Sequence, residues 1–275
     1  MKLDTLFRQP DALPTIPEVV QTLIASFNDD SISIDNITRQ IVSDPVLSAN
    51  LLHLANSAYY KSTNSTTTIP VAIALLGFVN VRTLVISIAL KGSFKPIHGL
   101  DSKQFWRHSQ HTALVARYLA MQAGLDANLA FMLGLIHAIG QPVMYQAMPE
   151  KMLKIDQQAP ILAPNRIMLE HESLGYSYLE VSAQLARCWK FPEVFPKAIT
   201  ASEKPLEASE FAELAALIHL GAWRSRAEEN QLDGAEMART WPADLANYLA
   251  PPSKLALQDF PSWDALGEDM AVLIT

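Results

Sequence analysis

Three histidines are the residues of this chain whose types and spacing can do chemistry. His108 and His111 are three residues apart, so on a helix they project from neighbouring positions, and His137 lies further along in an apolar run. Neutral imidazole nitrogens bind transition metals, and three of them can form a metal site. The sequence favours a second interpretation, in which all three are core histidines hydrogen-bonded to backbone or to each other.

The dipeptide Trp106-Arg107 stands directly before the first of these histidines. An arginine can bind a phosphate group through two parallel hydrogen bonds, and a tryptophan can stack on a base. Arg107 is therefore a candidate for a phosphate-binding edge of the same site. Because such a pair more often anchors the start of a helix, the sequence favours the structural role.

The composition indicates a globular, acidic protein. Of its 275 residues, 49% are hydrophobic and 18% are charged, and the formal net charge is -7. This apolar content is enough to offset the entropy that the chain loses on folding. The negative charge repels phosphate backbones and anionic lipid, so nucleic acid and membrane are disfavoured as partners.

We expect a cytoplasmic protein without a structural disulfide. Pro10 and Pro14 interrupt the first residues before an apolar run of signal-peptide length forms. The most apolar stretch, Val71 to Leu90, contains Arg82, which a bilayer would penalise by about 2–3 kcal/mol, so it is expected to be soluble core. Cys188 is the single cysteine, and its apolar neighbours predict a buried structural thiol.

The spacing of apolar residues is helical almost throughout, without the sustained alternation that indicates a sheet. The sequence therefore predicts an all-α fold. Capping signals predict helix starts at Thr15 to Glu18, which have the spacing of a capping box, and at Ser33, Asp44-Pro45 and Asp101. Gly77 is expected to end an apolar helix in a left-handed C-cap.

Apolar stripes on these helices predict the side chains that face the core. The predicted set is Val19, Val20, Leu23, Ile24, Phe27, Ile34, Ile37, Ile41, Val42, Val46, Leu47, Leu51, Leu54 and Ala55, followed by Phe105, His108, Thr112, Val115 and Leu119. The run Leu129 to Ile139 is apolar on every side, which predicts a helix enclosed by others. From Asn230 onwards prolines cut the chain into short pieces, which predicts a helical appendage packed on the main body.

Several segments, in order between Leu13 and Pro192, together resemble the HDOD family, the HD-related output domains. They are Leu13 to Pro17, Ile41 to Pro45, Leu54 to Tyr60, Ala74 to Phe78, Phe105 to Ser109, Gly134 to Gly140 and Leu185 to Pro192. The resemblance implies an HD-like multi-helix bundle with a smaller N-terminal helical subdomain and an appended C-terminal segment. The predicted HDOD domain spans 1–205, with an N-terminal subdomain over about 13–95 and an HD-like subdomain over about 96–205. The remaining residues, 206–275, are predicted to form a helical extension packed on the body.

HDOD domains are similar to the HD phosphohydrolases, in which a His, a His-Asp pair and a distant Asp surround a divalent metal that activates water. Carried over, His108 matches the first His and His137 the second, but Ala138 stands where the Asp is expected. Tyr178 occupies a position where HDOD relatives often have a further His, and 218–222 contains no carboxylate for the last Asp. Two imidazoles leave a dication under-ligated. We therefore expect no enzymatic activity, metal or other cofactor.

The resemblance implies a bacterial signal-transduction output module that acts by binding signalling proteins, in the context of two-component, chemotaxis or cyclic-dinucleotide pathways. One alternative is a residual metal-dependent phosphohydrolase or nucleotide-binding pocket built on His108, His111 and His137, with Tyr178 and Arg107 as further candidates. A less favoured alternative is DNA binding by the helices around Gly77. Basic residues surround that glycine in the sequence: Lys61, Arg82, Lys91, Lys95 and Lys103.

Overall fold

The regular structure of this protein is helical, as the spacing of its apolar residues predicts. The computed structural model describes residues 2–8, 13–27, 33–57, 60, 65–249 and 260–267, and this part of the chain contains no strand. Its helices are α1 Leu3–Leu6, α2 Glu18–Ala25, α3 Ile34–Ser43, α4 Pro45–Ala55, α5 Ile69–Leu76, α6 Phe78–Ser93, α7 Ser102–Ala123, α8 Ala127–Ile136, α9 Gly140–Ala147, α10 Pro149–Asp156, α11 Arg166–Leu174, α12 Tyr178–Cys188, α13 Val194–Ala201, α14 Ala212–Glu229, α15 Gly234–Thr240, α16 Ala243–Leu249 and α17 Trp263–Gly267. The fold class is therefore all-α.

Three of the four predicted N-caps are confirmed. Ser33 accepts a hydrogen bond from the backbone of Asn36, while Asp44 and Asp101 each accept two from the first turns of α4 and α7. The predicted capping box at Thr15 is wrong, because α2 begins after Pro17 and no side chain caps it. Short polar side chains thus decide where α3, α4 and α7 begin.

One compact unit comprises the described residues of 15–93 together with Trp189–Pro192 and those from Pro261 onwards. Its core is formed by α2 to α6. Gly77, at a φ of +79° and a ψ of 146°, joins α5 to α6 and is outside the left-handed helical region that the sequence predicted. The guanidinium of Arg82 lies 3.8 Å from the centre of the Phe27 ring and donates to the carbonyl of Ser26, so this arginine packs against its own unit.

The predicted core of this unit is correct except at its helix ends and at Phe27, which follows α2 and is half-buried. Ile37, Ile41 and Leu47 are buried, whereas Ile34, Val42 and Val46 are 48%, 56% and 62% exposed. The three exceptions lie in the first or last turn of α3 or in the first turn of α4. At a helix end the apolar stripe runs past its packing partner, so the expectation that they face the core is wrong.

The second unit comprises the described residues of 1–14, 94–188 and 193–260, and α7 runs through its centre. The predicted stripe of α7 from Phe105 to Leu119 is buried. On one side α7 packs against α8, whose residues from Ala130 onwards are buried as predicted. On another side it packs against α14, which lies in the stretch that the sequence predicted as an extension.

Two glycines allow α8 and α14 to approach α7 closely. A Cβ added at Gly134 of α8 would lie 2.6 Å from the Cα of Ala113, and one added at Gly221 of α14 would lie 2.6 Å from the carbonyl oxygen of Thr112. Both glycines therefore meet α7 at the same turn. A methyl group at either position would force two backbones apart.

Two segments of the described chain are long and apolar enough to cross a membrane, judged by length and composition only. Ala127–Ala147 is apolar enough, but 83% of its most apolar window is buried inside the protein, as in the core helix of a soluble protein. The stretch Val71 to Leu90 belongs to two helices that are bent by 114° at Gly77. Much of this second stretch is buried, as at Leu76, Leu84 and Leu90, but Val71, Leu75 and Val79 are exposed, so the expectation that it is core is only partly correct.

Cys188 corrects another expectation, because its side chain is exposed. It is the last residue of α12, and the neighbouring Trp189 is buried. At this helix end the thiol faces solvent, so the apolar neighbours of Cys188 in the sequence did not predict its burial.

We expect Gly134→Ala to lower the free energy of unfolding by about 2 kcal/mol or more, because the new methyl group overlaps the α7 backbone. Gly92→Ala is the matched control, since a Cβ at Gly92 of α6 meets nothing within 4 Å. It should leave stability unchanged or raise it by up to about 1 kcal/mol. Urea denaturation followed by circular dichroism measures both, and equal stability of the two variants would contradict the close helix packing.

Candidate functional site

A cavity of about 190 Å³ lies in the unit that contains α7, next to the point where the glycines bring the helices together. Two of the candidate histidines, His108 and His137, line it, and so does Tyr178. Other lining residues are Gln141, Arg166, Glu203, Ile218, His219, Ala222 and Arg226. The cavity therefore brings together residues from α7, α9, α11, α12 and α14 with His137, which caps α8.

His137 is a buried, neutral imidazole with one free nitrogen. Its Nδ1 lies 2.6 Å from the carbonyl oxygen of Gly134, which can only accept, so Nδ1 carries the proton. Its Nε2 is buried and has no hydrogen-bond partner among the described residues. Burial and, to a smaller extent, the charge of Arg226 lower the pKa of His137, the bond to Gly134 opposes them, and the resulting pKa is about 4. At neutral pH Nε2 is therefore a lone-pair acceptor.

His108 is also buried and neutral. The Ser225 hydroxyl donates to the carbonyl oxygen of His108 at 3.2 Å, so its oxygen accepts from the His108 Nδ1 at 2.8 Å. Burial lowers the pKa of His108 well below its usual range, and His137 and Arg226 lower it further. The two imidazole rings meet edge to face with their centres 5.4 Å apart.

Arg226 supplies the positive charge of the cavity, and the sequence analysis did not find it. It is half-buried, and its guanidinium has no hydrogen bond or ion pair among the residues that the structure describes. It follows Ala222 by four residues on α14, so both lie on one helix face. That spacing is the sequence signal for Arg226, which lies four residues beyond the segment 218–222 where the last Asp is expected.

Arg166 is held rigidly in the wall of the cavity. Its side chain is 1% exposed; Nε donates to Glu170 at 2.7 Å, while Nη1 donates to Asp156 at 2.5 Å and to the carbonyl of Ala159 at 2.6 Å. Its Nη2 is buried without a partner. Glu170 and Asp156 compensate the charge of Arg166. Arg166 therefore contributes mainly a fixed hydrogen-bond donor to the cavity, and little net charge.

The same ion-pair network positions Tyr178. The second carboxylate oxygen of Glu170 accepts from the backbone N–H of Tyr178 at 2.7 Å. Burial raises the pKa of Tyr178 to about 12, and nearby Arg226 opposes this. The phenol is therefore a neutral donor at physiological pH.

Arg107 and His111 do not line the cavity, so the five predicted residues do not form one site. Arg107 forms a bidentate ion pair with Glu229, in which Nη2 donates to Oε2 at 2.6 Å, and its side chain is 53% exposed. As the residue before His108 it points about 100° away on the helix. His111 is half-buried, and burial lowers its pKa.

The carboxylate that lines the cavity, Glu203, is partly exposed and lies near a histidine. Its Oε2 is 3.5 Å from Nε2 of His171, which is 35% exposed. His219 also lines the cavity, and its Nδ1 donates to the carbonyl oxygen of Ser202 at 2.9 Å, so Nδ1 carries the proton. In the described part of the chain, no group of three or more His, Cys, Asp or Glu residues is placed to hold a metal ion.

An all-helical bundle with a histidine-lined cavity between its central helices defines an HD-like protein. The model of the HDOD domain matches residues 13–205, and the chain belongs to the HDOD family. The resemblance carried by the seven sequence segments is thereby confirmed.

Solved structures have the same fold. A protein from Shewanella amazonensis SB2B, provisionally described as a phosphohydrolase, is 28% identical, with 98% of each chain covered and a TM-score of 0.75. An HDOD domain protein of unknown function from Geobacter sulfurreducens is 21% identical, with a TM-score of 0.74 over 98% of this chain and 91% of that one. A protein from Marinobacter aquaeolei VT8, provisionally described as a signal transduction protein, is 22% identical. Its TM-score is 0.72, with all of this chain and 60% of that chain covered.

Among curated proteins, an uncharacterised protein from Treponema pallidum (strain Nichols) is 27% identical over 188 residues. The match covers 66% of this chain and 36% of that protein. This chain therefore corresponds to only part of its relative.

The free energy of unfolding should fall as the pH is lowered from 6.5 towards 4. The folded-state pKa of His137 is about 4, below its usual value of 6.5, so in this range the unfolded chain binds more protons. The contribution of His137, about 3 kcal/mol, is present above pH 6.5 and is lost towards pH 4.

His137→Gln should make this pH dependence shallower, as measured by urea denaturation at pH 7.5, 6, 5 and 4.5. The control, His98→Gln, changes an exposed histidine, and its free energy of unfolding should depend on pH as that of the wild type does. An unchanged slope in His137→Gln would show that His137 is not buried in its neutral form.

Proposed function

We propose that this chain is a non-catalytic signal-transduction module that acts by binding another protein. The observation that carries the proposal is the α3–α4 surface, by which we mean Ile34 and Val42 at the two ends of α3 and Val46 at the start of α4, whose apolar side chains are about half exposed or more. Exposed apolar surface commonly marks an interaction site, and Val46 also lines a groove. Membership of the HDOD family agrees with a signalling role.

A groove of about 410 Å³ adjoins this surface within the same unit. Val46 lines it together with Ile16, Pro17, Leu47 and Ile88. An apolar groove beside exposed valines suits an apolar anchor residue of a partner. A protein of a two-component, chemotaxis or cyclic-dinucleotide pathway is the expected partner, a context that the family resemblance implies.

The non-catalytic part of the proposal rests on the poor fit between the cavity and a divalent metal. His108 and His137 offer imidazole nitrogens, but Ala138 takes the place of the expected carboxylate ligand, and Glu203 is the one carboxylate among the residues that line the cavity. The guanidinium of Arg226 adds a positive charge where a metal site needs negative ones. The residues present therefore do not fit the metal of the HD phosphohydrolases.

One observation keeps a metal-dependent phosphohydrolase as the second candidate. A metal-binding histidine usually donates its other ring N–H to a carbonyl or carboxylate, and His137 does so to Gly134. The related Shewanella protein carries a phosphohydrolase description. DNA binding around Gly77 is the weaker alternative, since Arg82 is bound to Ser26 and Phe27, and Lys61 lies outside the described residues.

Val46→Glu should abolish capture of the partner, because a carboxylate would be desolvated at the apolar interface. Affinity purification with cross-linking from the native host, followed by mass spectrometry, identifies the partner, and calorimetry with the purified partner should then show a loss of affinity of about tenfold or more.

Leu206→Glu is the matched control, since Leu206 is a 55% exposed leucine in the other unit, and this variant should bind as the wild type does. Equal binding by Val46→Glu would exclude the α3–α4 surface. Failure to recover any reproducible partner from the host would count against the whole proposal.

The protein purified without a tag should contain no stoichiometric transition metal, and a His108→Ala, His137→Ala variant should have the same elemental analysis. The reason is that Glu203 is the one carboxylate among the residues that line the cavity, and Arg226 adds a positive charge to the same cavity. If the wild type holds about one metal per chain and the double variant loses it, the phosphohydrolase becomes the leading candidate and phosphodiesterase assays follow.

A further inference from the structure

The cavity beside His137 holds an uncompensated positive charge. Arg226 is half-buried and makes no ion pair or hydrogen bond among the described residues, although a guanidinium has five N–H donors. Charged groups removed from water are normally paired, because an unpaired one is costly. An arginine left without a partner in a cavity wall is therefore suited to an anion from outside the chain.

Further polar atoms in the wall are also unsatisfied. Nη2 of Arg166 and Oε1 of Gln141 are buried without partners, and so is Nε2 of His137. All three residues line the same cavity as Arg226. Arg166 cannot swing away, because its other nitrogens are bound to Glu170, Asp156 and Ala159. The wall thus presents fixed donors for an oxyanion and acceptors for a hydroxyl group.

The other charges around the cavity set limits on the anion. His108 and His137 are neutral and neither attract nor repel it strongly. The carboxylate of Glu203 opposes an anion, but it is 38% exposed and lies 3.5 Å from His171. Solvent screens its repulsion, so the guanidinium of Arg226 is the charge with the larger effect inside.

The size of the cavity restricts the ligand. Its volume of about 190 Å³ is below the roughly 300 Å³ at which typical ligand pockets begin. This space holds a phosphoryl group with a small substituent, but it is too small for a dinucleotide. A phosphoryl group matches the planar donor fork of arginine.

We propose that this cavity is a metal-independent site for a small phosphoryl compound, held by Arg226 and by Nη2 of Arg166, with a hydroxyl of the ligand donating to Nε2 of His137. The ligand is bound and not hydrolysed. The site occupies a different unit from the α3–α4 surface, so phosphoryl binding does not depend on the proposed partner binding.

Isothermal titration calorimetry of the full chain in the presence of EDTA tests this, with inorganic phosphate and ribose 5-phosphate as separate probes. The wild type should bind at least one of them saturably, and the tighter one identifies the source as free phosphate or a phosphate ester. Arg226→Gln should weaken binding by about tenfold or more, the loss expected for hydrogen bonds to a charged group.

Arg224→Gln is the matched control. It removes the same charge from the same helix, but Arg224 is paired with Glu228 at 3.0 Å and does not line the cavity, so binding should equal that of the wild type. Arg226→Lys keeps the charge and should retain part of the affinity. Circular dichroism checks the fold of each variant, and phosphate should raise the melting temperature of the wild type but not of Arg226→Gln.

Three results would overturn the proposal. The first is no saturable binding of either probe by folded wild type, and the second is equal binding by Arg226→Gln. The third is binding that appears only after a divalent metal is added, which would support the phosphohydrolase instead. None of these results bears on capture of a protein partner by Val46.

Discussion

The candidate site depends on the close approach of three helices at a single turn of α7. Gly134 of α8 and Gly221 of α14 meet the backbone at Ala113 and Thr112, where a Cβ would overlap it. Two cavity residues lie about one turn away from these contacts: His108 precedes Thr112 by four residues, and His137 follows Gly134 by three. Ser225, which is hydrogen-bonded to His108, follows Gly221 by four. The carbonyl of His108 accepts from both Thr112 and Ser225, which joins α7 to α14 at this level.

This geometry explains the chemistry of the cavity. Helices packed so closely exclude water, and exclusion of water keeps His108 and His137 neutral. The positive charge of Arg226 also lowers the pKa of both imidazole rings. The residues that line this HD-like cavity include two arginines, Arg166 and Arg226, and one carboxylate, Glu203. The proposed preference for an anion over a metal cation depends on this balance of charges.

Much of the fold follows from local sequence. The capping side chains of Ser33, Asp44 and Asp101 mark helix starts, and the stripe on α7 is buried as its spacing predicts. Thr15 did not cap α2, and Val46 did not face the core, because a capping box or an apolar position at a helix end depends on what packs beside it. Cys188 differed from its prediction for the same reason.

The sequence by itself determined the all-α class, the HDOD membership and the two histidines that share a cavity. These properties depend on residue spacing along single helices and on motifs that are continuous in the chain. Only the tertiary structure decided that Arg107 and His111 lie outside the cavity and that Arg166, Gln141 and Arg226 line it. The physical reason is that α7 and α14 are distant in sequence, and the rotation of each helix about its axis is set by Gly134 and Gly221, whose contacts no local pattern records.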